Sequence, residues 1–495
     1  MGIILKQGVK NTLITYLGIA IGFVNTIIVQ PHFLSSEEIG LTRILYSFSM
    51  LLAIFMPMGA TNITIRYFPI FRNEKNGHQG YFGFMLIFPL IGFLISSFFL
   101  YIFRDVIIAQ YSKEAKLFTD FFYYIFPLSF FLCLVVVINA YCSSIFKSSV
   151  PTFLNDILVR LLSMILFSIY FIRWININTL IIFFVGIYGI QLLVLLFYTF
   201  KVGQPSFKIN FSFFKKQPLK KMMAYGFLLS IGSVSTLGIK YIDSLMLATY
   251  LPLAIVGVYS LVAFIPTFIE APINAIDRIA SPKVSDAWVN NDMDLIKEIY
   301  IRSSKYLILI GGILFLGVIT NISALLKMLP PDFYLGINVV YILSTGAFIN
   351  MLTGLNNAII FNSKNYLIGI CLLFSMLIVT IICNLIFIPL YGIEGAAIAA
   401  VMGSVSYNLL KYTYIYIKYK IQPFDSLHFK IIGFIIVCLF INFKFAGFKL
   451  PIVEIATRSL VIIFSYSIFS YFIIRNDPTF QSFLMAIKSR NPFSK

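Results

Sequence analysis

Apolar residues along this chain come in long blocks with short polar breaks, not in the alternation of a strand or the single stripe of a surface helix. Stretches of about 20 apolar residues, enough for a helix to cross roughly 30 Å of hydrocarbon, recur from the N-terminal MGIILKQGVKNTLITYLGIAIGFVN to the last apolar run. Bounded by charges or by Pro and Gly clusters, they predict helices near 11–30, 41–65, 81–103, 119–146, 153–172, 179–200, 223–250, 255–279, 306–326, 335–361, 366–388, 392–417, 431–445 and 455–474. This is the pattern of an all-α membrane protein with about 14 transmembrane helices, since only helices or closed barrels satisfy the backbone in lipid. The N-terminal run has no small-residue cleavage site and reads as a retained first helix.

Composition agrees with that solvent. Of the 495 residues, 60% are hydrophobic and 11% charged, where a soluble domain carries about 25% charged residues. The net charge of +18 would suggest nucleic acid in a soluble protein, but here the basic residues sit in short loops, where they report orientation instead. In alternate flanks beginning with 1–10 there are 26 Lys and Arg, against 8 in the opposite flanks. The expectation is a multi-pass protein of the cell inner membrane with both termini cytoplasmic and no nucleic-acid partner.

The longest polar stretches are 201–221, a basic linker whose Lys and Phe suit an anionic lipid surface, and 282–305, where DLIKEIYI reads as a short interfacial helix. A weak internal repeat divides the chain further. Leu34-x5-Gly40 and Leu251-x5-Gly257 are related by one offset of 217 residues, with an even number of helices between them, as in carriers built from parallel repeats. The segments expected are an N-terminal six-helix lobe at 1–212, a C-terminal six-helix lobe at 213–420, and two appended helices with a tail at 421–495.

Candidate chemistry is sparse. Five cysteines inside apolar spans and three histidines near loops have no metal or disulfide spacing. No nucleophile–base constellation and no Gly-rich phosphate loop appears, so neither an enzyme nor an ATP-driven pump is expected. What remains are ionisable groups at membrane depth, each costing at least about 2.5 kcal/mol at a helix centre. Lys240 and Asp243 share one helix face three residues apart; they either neutralise each other or act as a cavity cation with its partner or ion ligand. Glu270 lies in the next span, and Asp156 and Arg160 form an i,i+4 pair in the fifth. Softer polar groups include Asn25 and Gln30 in the first span, and Asn350, Asn356 and Asn357 in the tenth. Gly18-x3-Gly22 in the first span reads as a close-packing site.

Three segments carry a resemblance. YIDSLML running into LATYLPLAIVGVYSLVAFIPTF at 247–268, IPLYGIEGAAIAAVMGSVSYNLL at 388–410 and HFLSSEEIGLTRIL at 32–45 are similar to turns of the oligosaccharidyl-lipid flippase branch of the MOP superfamily, which includes the Wzx-type O-antigen exporters. MATE antiporters usually have twelve helices and often an acidic residue in the first; this chain has no Asp or Glu there. Lipid II flippases carry a cluster of arginines near the N-terminal helices, which is not reproduced, Arg43 lying at a helix edge.

The resemblance implies two pseudo-symmetric six-helix lobes around a central cavity, with two further helices appended. It implies a polyprenyl-pyrophosphate-linked oligosaccharide carried outward by alternating access, a bilayer setting, and a polysaccharide polymerase and chain-length regulator as partners. Lys240, Arg160, Asn25 and Gln30 would contact substrate, and Asp243 and Glu270 would couple Na⁺ or H⁺, with no other cofactor and no metal centre. The alternatives are an ion-coupled exporter of organic cations and, more distantly, an intramembrane glycan polymerase.

Overall fold

A computed structural model describes residues 2–111, 116–203, 205–443 and 450–476; the expected tail after 476 and most of the last short loop lie outside these residues. Every described element is helical. The main helices are α1 Gly2–Phe23, α2 Ser36–Phe55, α3 Ala60–Phe71, α4 Tyr81–Ile102, α5 Ile125–Ser144, α6 Ser149–Phe171, α7 Ile177–Gly203, α8 Leu219–Tyr250, α9 Leu253–Val262, α10 Thr267–Val289, α11 Met293–Leu326, α12 Ile337–Leu352, α13 Asn356–Phe361, α14 Tyr366–Tyr419, α15 Ser426–Phe443 and α16 Pro451–Asn476.

Among the described residues, ten helices are long and apolar enough to cross a membrane, or up to twelve if each bent pair is one span. The expected fourteen is therefore not reached by length and composition. One reason is local: Tyr366–Tyr419 counts once as α14, although Gly392, with φ 59° and ψ −130°, breaks it into two helices at the boundary between the spans expected at 366–388 and 392–417. Another is that the apolar helix Ser426–Asn442 is shorter than a full span. The expected span at 41–65 is two helices, because Gly59 takes a left-handed φ of 86° and restarts the chain as α3.

The polar stretch at 282–305 is not a separate interfacial helix. Asp292 caps the Leu295 amide at 2.9 Å, and α11 then continues without interruption, since no Gly or Pro follows to break it until Gly311. The linker before α8 is likewise more than a lipid-facing strap: Phe214 is buried, its ring 4.7 Å from Phe71 and 4.6 Å from Phe84.

Contacts divide the chain into two units, 1–261 with 380–396, and 262–379 with 397–495. Within the first, Phe68, Phe71, Tyr81, Phe82 and Tyr141 form a buried aromatic core. Within the second, α11 is central, burying Leu307, Ile308 and Leu316 against α12, α15 and α16. Large apolar side chains also cover outward faces: Phe98, Phe197 and Phe464 are 62%, 72% and 71% exposed. A water-soluble surface rarely carries so many, whereas lipid tails solvate them at no cost.

In lipid, helices gain no hydrophobic drive from pairing, so close backbone approach has to supply contact. The Gly18-x3-Gly22 face shows how. A Cβ on Gly18 would lie 2.7 Å from Asp156 Cβ, and one on Gly22 would strike the Arg160 guanidinium, so α1 sits directly on the helix that carries both charges. Gly40 and Gly257 are packed just as closely against each other's helices. A Cβ on Gly40 would overlap the Leu253 carbonyl, and one on Gly257 the Ser36 carbonyl. Residues 36 and 253 are separated by the same 217 positions as the two glycines, so the repeat motifs meet in one reciprocal contact.

Candidate functional site

Two polar groupings lie inside the helical units. The first is in the unit of residues 1–261 with 380–396. Its centre is Asp243 on α8, only 9% exposed. Asn384 Nδ2 donates to Asp243 Oδ1 at 2.7 Å, and the Tyr259 hydroxyl donates to Oδ2 at 3.3 Å. Asp243 is thus held by two neutral donors, while Lys240 stands exposed on the same helix. The mutual neutralisation of Lys240 and Asp243 is replaced by this amide and phenol pairing. The wholly buried Asn384 offers a second oxygen, Oδ1, that receives no hydrogen bond.

Tyr46, Tyr188 and Tyr241 come together beside it, with ring centroids 5.6 and 5.9 Å from Tyr46. Arg43 acts electrostatically on Asp243 and on all three phenols, and Arg160 acts on Tyr46 and Tyr188. Arg43 is half buried, its Nε enclosed without an acceptor, so it is not a peripheral helix-edge residue. Arg160 donates from Nη1 to the Gly18 carbonyl, and Thr15 Oγ1 donates to Asp156 Oδ2 at 3.2 Å.

Both sides of this α1–α6 contact are locally π-helical, at Val24–Val29 and Leu154–Leu158, a geometry that concentrates at functional positions. Asn25 lies in the first π turn, buried and with Oδ1 unpaired. Gln30 follows at the end of that turn, half buried. Arg160, Asn25 and Asp156 are therefore neighbours along one helix pair; Lys240 is not drawn into that contact.

The second grouping is in the unit of residues 262–379 with 397–495. Glu270, in the first turn of α10, accepts from Asn350 Nδ2 at 3.0 Å. Asn350 Oδ1 accepts from Asn408 Nδ2 at 3.0 Å. Asn408 Oδ1 accepts from Thr353 at 3.3 Å and from Asn356 Nδ2 at 3.5 Å. Asn356 Oδ1 and Asn357 Oδ1 each accept from Lys411 Nζ at 2.9 Å. Lys411 is 1% exposed.

Lys411 is a correction to the sequence reading, which counted it with the basic flank 411–430 and gave it no role. Tyr407, Asn408 and Lys411 recur at helical spacing on α14, and that polar stripe was the signal available. Asn384, a single amide in the apolar run TIICNLIF, left a weaker one. His78 and His428 also depart from expectation. Both are buried and held in place, His78 Nε2 at 3.1 Å from the Gly203 carbonyl and His428 Nε2 at 2.7 Å from Ser304 Oγ. Among the described residues no group of His, Cys, Asp and Glu is arranged to hold a metal.

Comparison with known proteins places this geometry. Residues 4–285 match the family described as polysaccharide biosynthesis protein. An uncharacterized membrane protein of Methanocaldococcus jannaschii is 24% identical over 400 residues, covering 74% of this chain and 75% of the relative. Among solved structures, the lipid II flippase MurJ in an inward-closed conformation aligns with a TM-score of 0.71 at 15% identity, over 94% of this chain and 99% of its own. An inward-facing multidrug resistance MATE transporter of the MOP superfamily aligns at 0.65 and 12% identity, over 83% and 98%. With the family matched over more than half its length and the fold shared with these carriers, the chain belongs to the polysaccharide biosynthesis protein family and has the fold of the two carriers.

Proposed function

We propose that this protein flips a polyprenyl-pyrophosphate-linked oligosaccharide from the cytoplasmic to the outer face of the inner membrane by alternating access, for surface polysaccharide synthesis. The observation that carries the reading is the cationic and phenolic cluster of Arg43, Arg160, Tyr46, Tyr188 and Tyr241 within apolar helices. An anionic pyrophosphate and its sugars must be sheltered from hydrocarbon, where bare polar groups cost several kcal/mol. Guanidinium groups provide fork-shaped donors for phosphate oxygens, and phenols provide neutral donors for sugar hydroxyls. Asn25, with an unpaired buried oxygen, and Gln30 extend that lining, and Lys240 adds an exposed ammonium. No covalent step is required.

Asp243 is the favoured coupling group. Its carboxylate and the donor-free Oδ1 of Asn384 supply oxygen ligands of the kind a hard monovalent cation takes, and the same carboxylate would serve a proton. We retain Glu270 as a second coupling candidate, with 1–212, 213–420 and 421–495 as the repeat-based division of the chain. Cytoplasmic termini and a polymerase and chain-length regulator as working partners complete the proposal.

Deletion of the gene tests the reading. Lipid-linked oligosaccharide should accumulate inside the cell and surface polysaccharide should be lost, with little change in drug sensitivity. Normal surface glycan together with heightened sensitivity to cationic dyes would overturn it in favour of an organic-cation exporter.

A further inference from the structure

The chain of side chains from Lys411 to Glu270 has one direction. Each amide turns its oxygen toward the ammonium and its nitrogen toward the carboxylate: Lys411 donates to Asn356, Asn356 to Asn408, Asn408 to Asn350, and Asn350 to Glu270. Reversing any one amide would oppose two donors and two acceptors, so the charges at the ends fix the orientation of all three. Around Lys411 itself the groups are those of a monovalent-cation site. Two carbonyl oxygens lie at 2.9 Å, and the Nζ stands 3.9 Å above the centre of the Tyr407 ring, within the range of a cation–π contact. The Tyr407 hydroxyl donates to Asn357 Oδ1 at 3.1 Å, fixing that oxygen too. Among the described residues no carboxylate makes an ion pair with Lys411.

We propose that this pocket is a monovalent-cation cage permanently filled by the Lys411 ammonium, which balances the Glu270 carboxylate from inside the protein through the oriented amides. A fixed charge facing Glu270 takes that carboxylate out of ion exchange, so that of the two coupling candidates Asp243 is the one left to an exchangeable ion. The cage is independent of the cargo.

Removing the tether while leaving the cage is the direct test. Full-length Lys411→Ala protein, purified in detergent, should gain thermal stability with methylammonium chloride in a saturable way, by something on the order of 2–4 °C. Choline chloride at equal ionic strength, too large for the cage, should give no such gain. Wild-type protein should respond to neither salt, and Lys411→Met, which refills the space with an uncharged chain, should not respond either. A folded Lys411→Ala protein that does not distinguish methylammonium from choline overturns the proposal.

If Lys411→Ala does not insert, the paired substitution decides. Lys411→Met combined with Glu270→Gln should yield more folded protein than either change alone, because both ends of the chain are neutralised together. A double variant no better than the worse single one overturns the charge link.

Discussion

Asp243 and Lys240 sit three residues apart and meet different surroundings. The carboxylate is enclosed by Asn384 and Tyr259; the ammonium is exposed. Lys240→Met should therefore change stability by no more than about 0.5 kcal/mol. As a substrate contact it should lower export about tenfold, roughly one charge-assisted hydrogen bond. The measurement is surface polysaccharide normalised to folded protein in the membrane, and full export would make Lys240 a bystander. Asp243→Asn, in contrast, should remove any dependence of export on the ion gradient.

A third charge behaves as a clasp. Lys305, 7% exposed, pairs with Asp425 at 2.7 Å, and His428 Nδ1 lies 3.0 Å from the same carboxylate. Partial burial pushes the Asp425 carboxyl up, but Lys305 and His428 outweigh it and hold the group below its ordinary value. A depressed folded value means that the stabilisation is complete above the unfolded value near 4 and is lost as pH falls through the folded one. Asp425→Asn should cost about 2 kcal/mol, less than a fully buried pair because Asp425 is one-third exposed. Thermal unfolding of the two proteins should differ at neutral pH and converge in acid.

At the scale of elements, caps and breaks follow the residues closely. Ser35 Oγ accepts from the Glu38 amide at 3.3 Å, and Glu38 accepts from the Ser35 amide at 2.8 Å, the capping box that SSEEIG spells out. The Gly40–Gly257 contact behind it should tolerate no Cβ. Gly257→Ala should cost about 1–3 kcal/mol through overpacking against backbone that has nowhere to retreat. Gly40→Ala should cost a similar amount, and the double variant less than the sum, since both enlarge one interface. Chemical unfolding of the purified variants checks this.

What could be read in advance follows from which forces act locally. Apolar blocks, the Ser35 cap and the 217-residue offset are local signals, and they lead to the helices and to the reciprocal contact. The break at Gly59, with positive φ, lies in an apolar run whose hydropathy does not change, so the pattern gave it no mark, whereas the break at Gly392 falls where the Pro and Gly of IPLYG already divided the expected spans 366–388 and 392–417. Arg43, Asn384 and Lys411 were missed for another reason: their importance depends on partners far away in the chain, 141 residues for Asn384 and Asp243 and 200 for Arg43 and Asp243. Arg160 and Glu270 could be singled out because a charge within an apolar span is conspicuous in the sequence itself.

For the whole molecule, orientation in the bilayer rests on the distribution of Lys and Arg. A reporter active only in the cytoplasm should work when fused after residue 210 or at the C-terminus, and fail after residue 112. Activity after 112 would invert the proposed topology. Moving the buried Lys411 out of the flank count leaves the bias intact, because 25 basic residues still oppose 8.

The glycine crossing between α2 and α9 has a mechanical side. Two helices that meet through bare backbone have no interlocking ridges at the point of contact, and their approach of Cα to carbonyl suits weak, poorly directional C–H···O bonds. Such a joint resists separation more than it resists turning. With α2 running on from Gly40 to Phe55, about 22 Å, a turn of roughly 10° at the glycines sweeps its far end through ~4 Å, most of the rise of one helical turn. The crossing is thus a bearing with a long lever attached, and any side chain added at residue 40 or 257 would act on it as a brake.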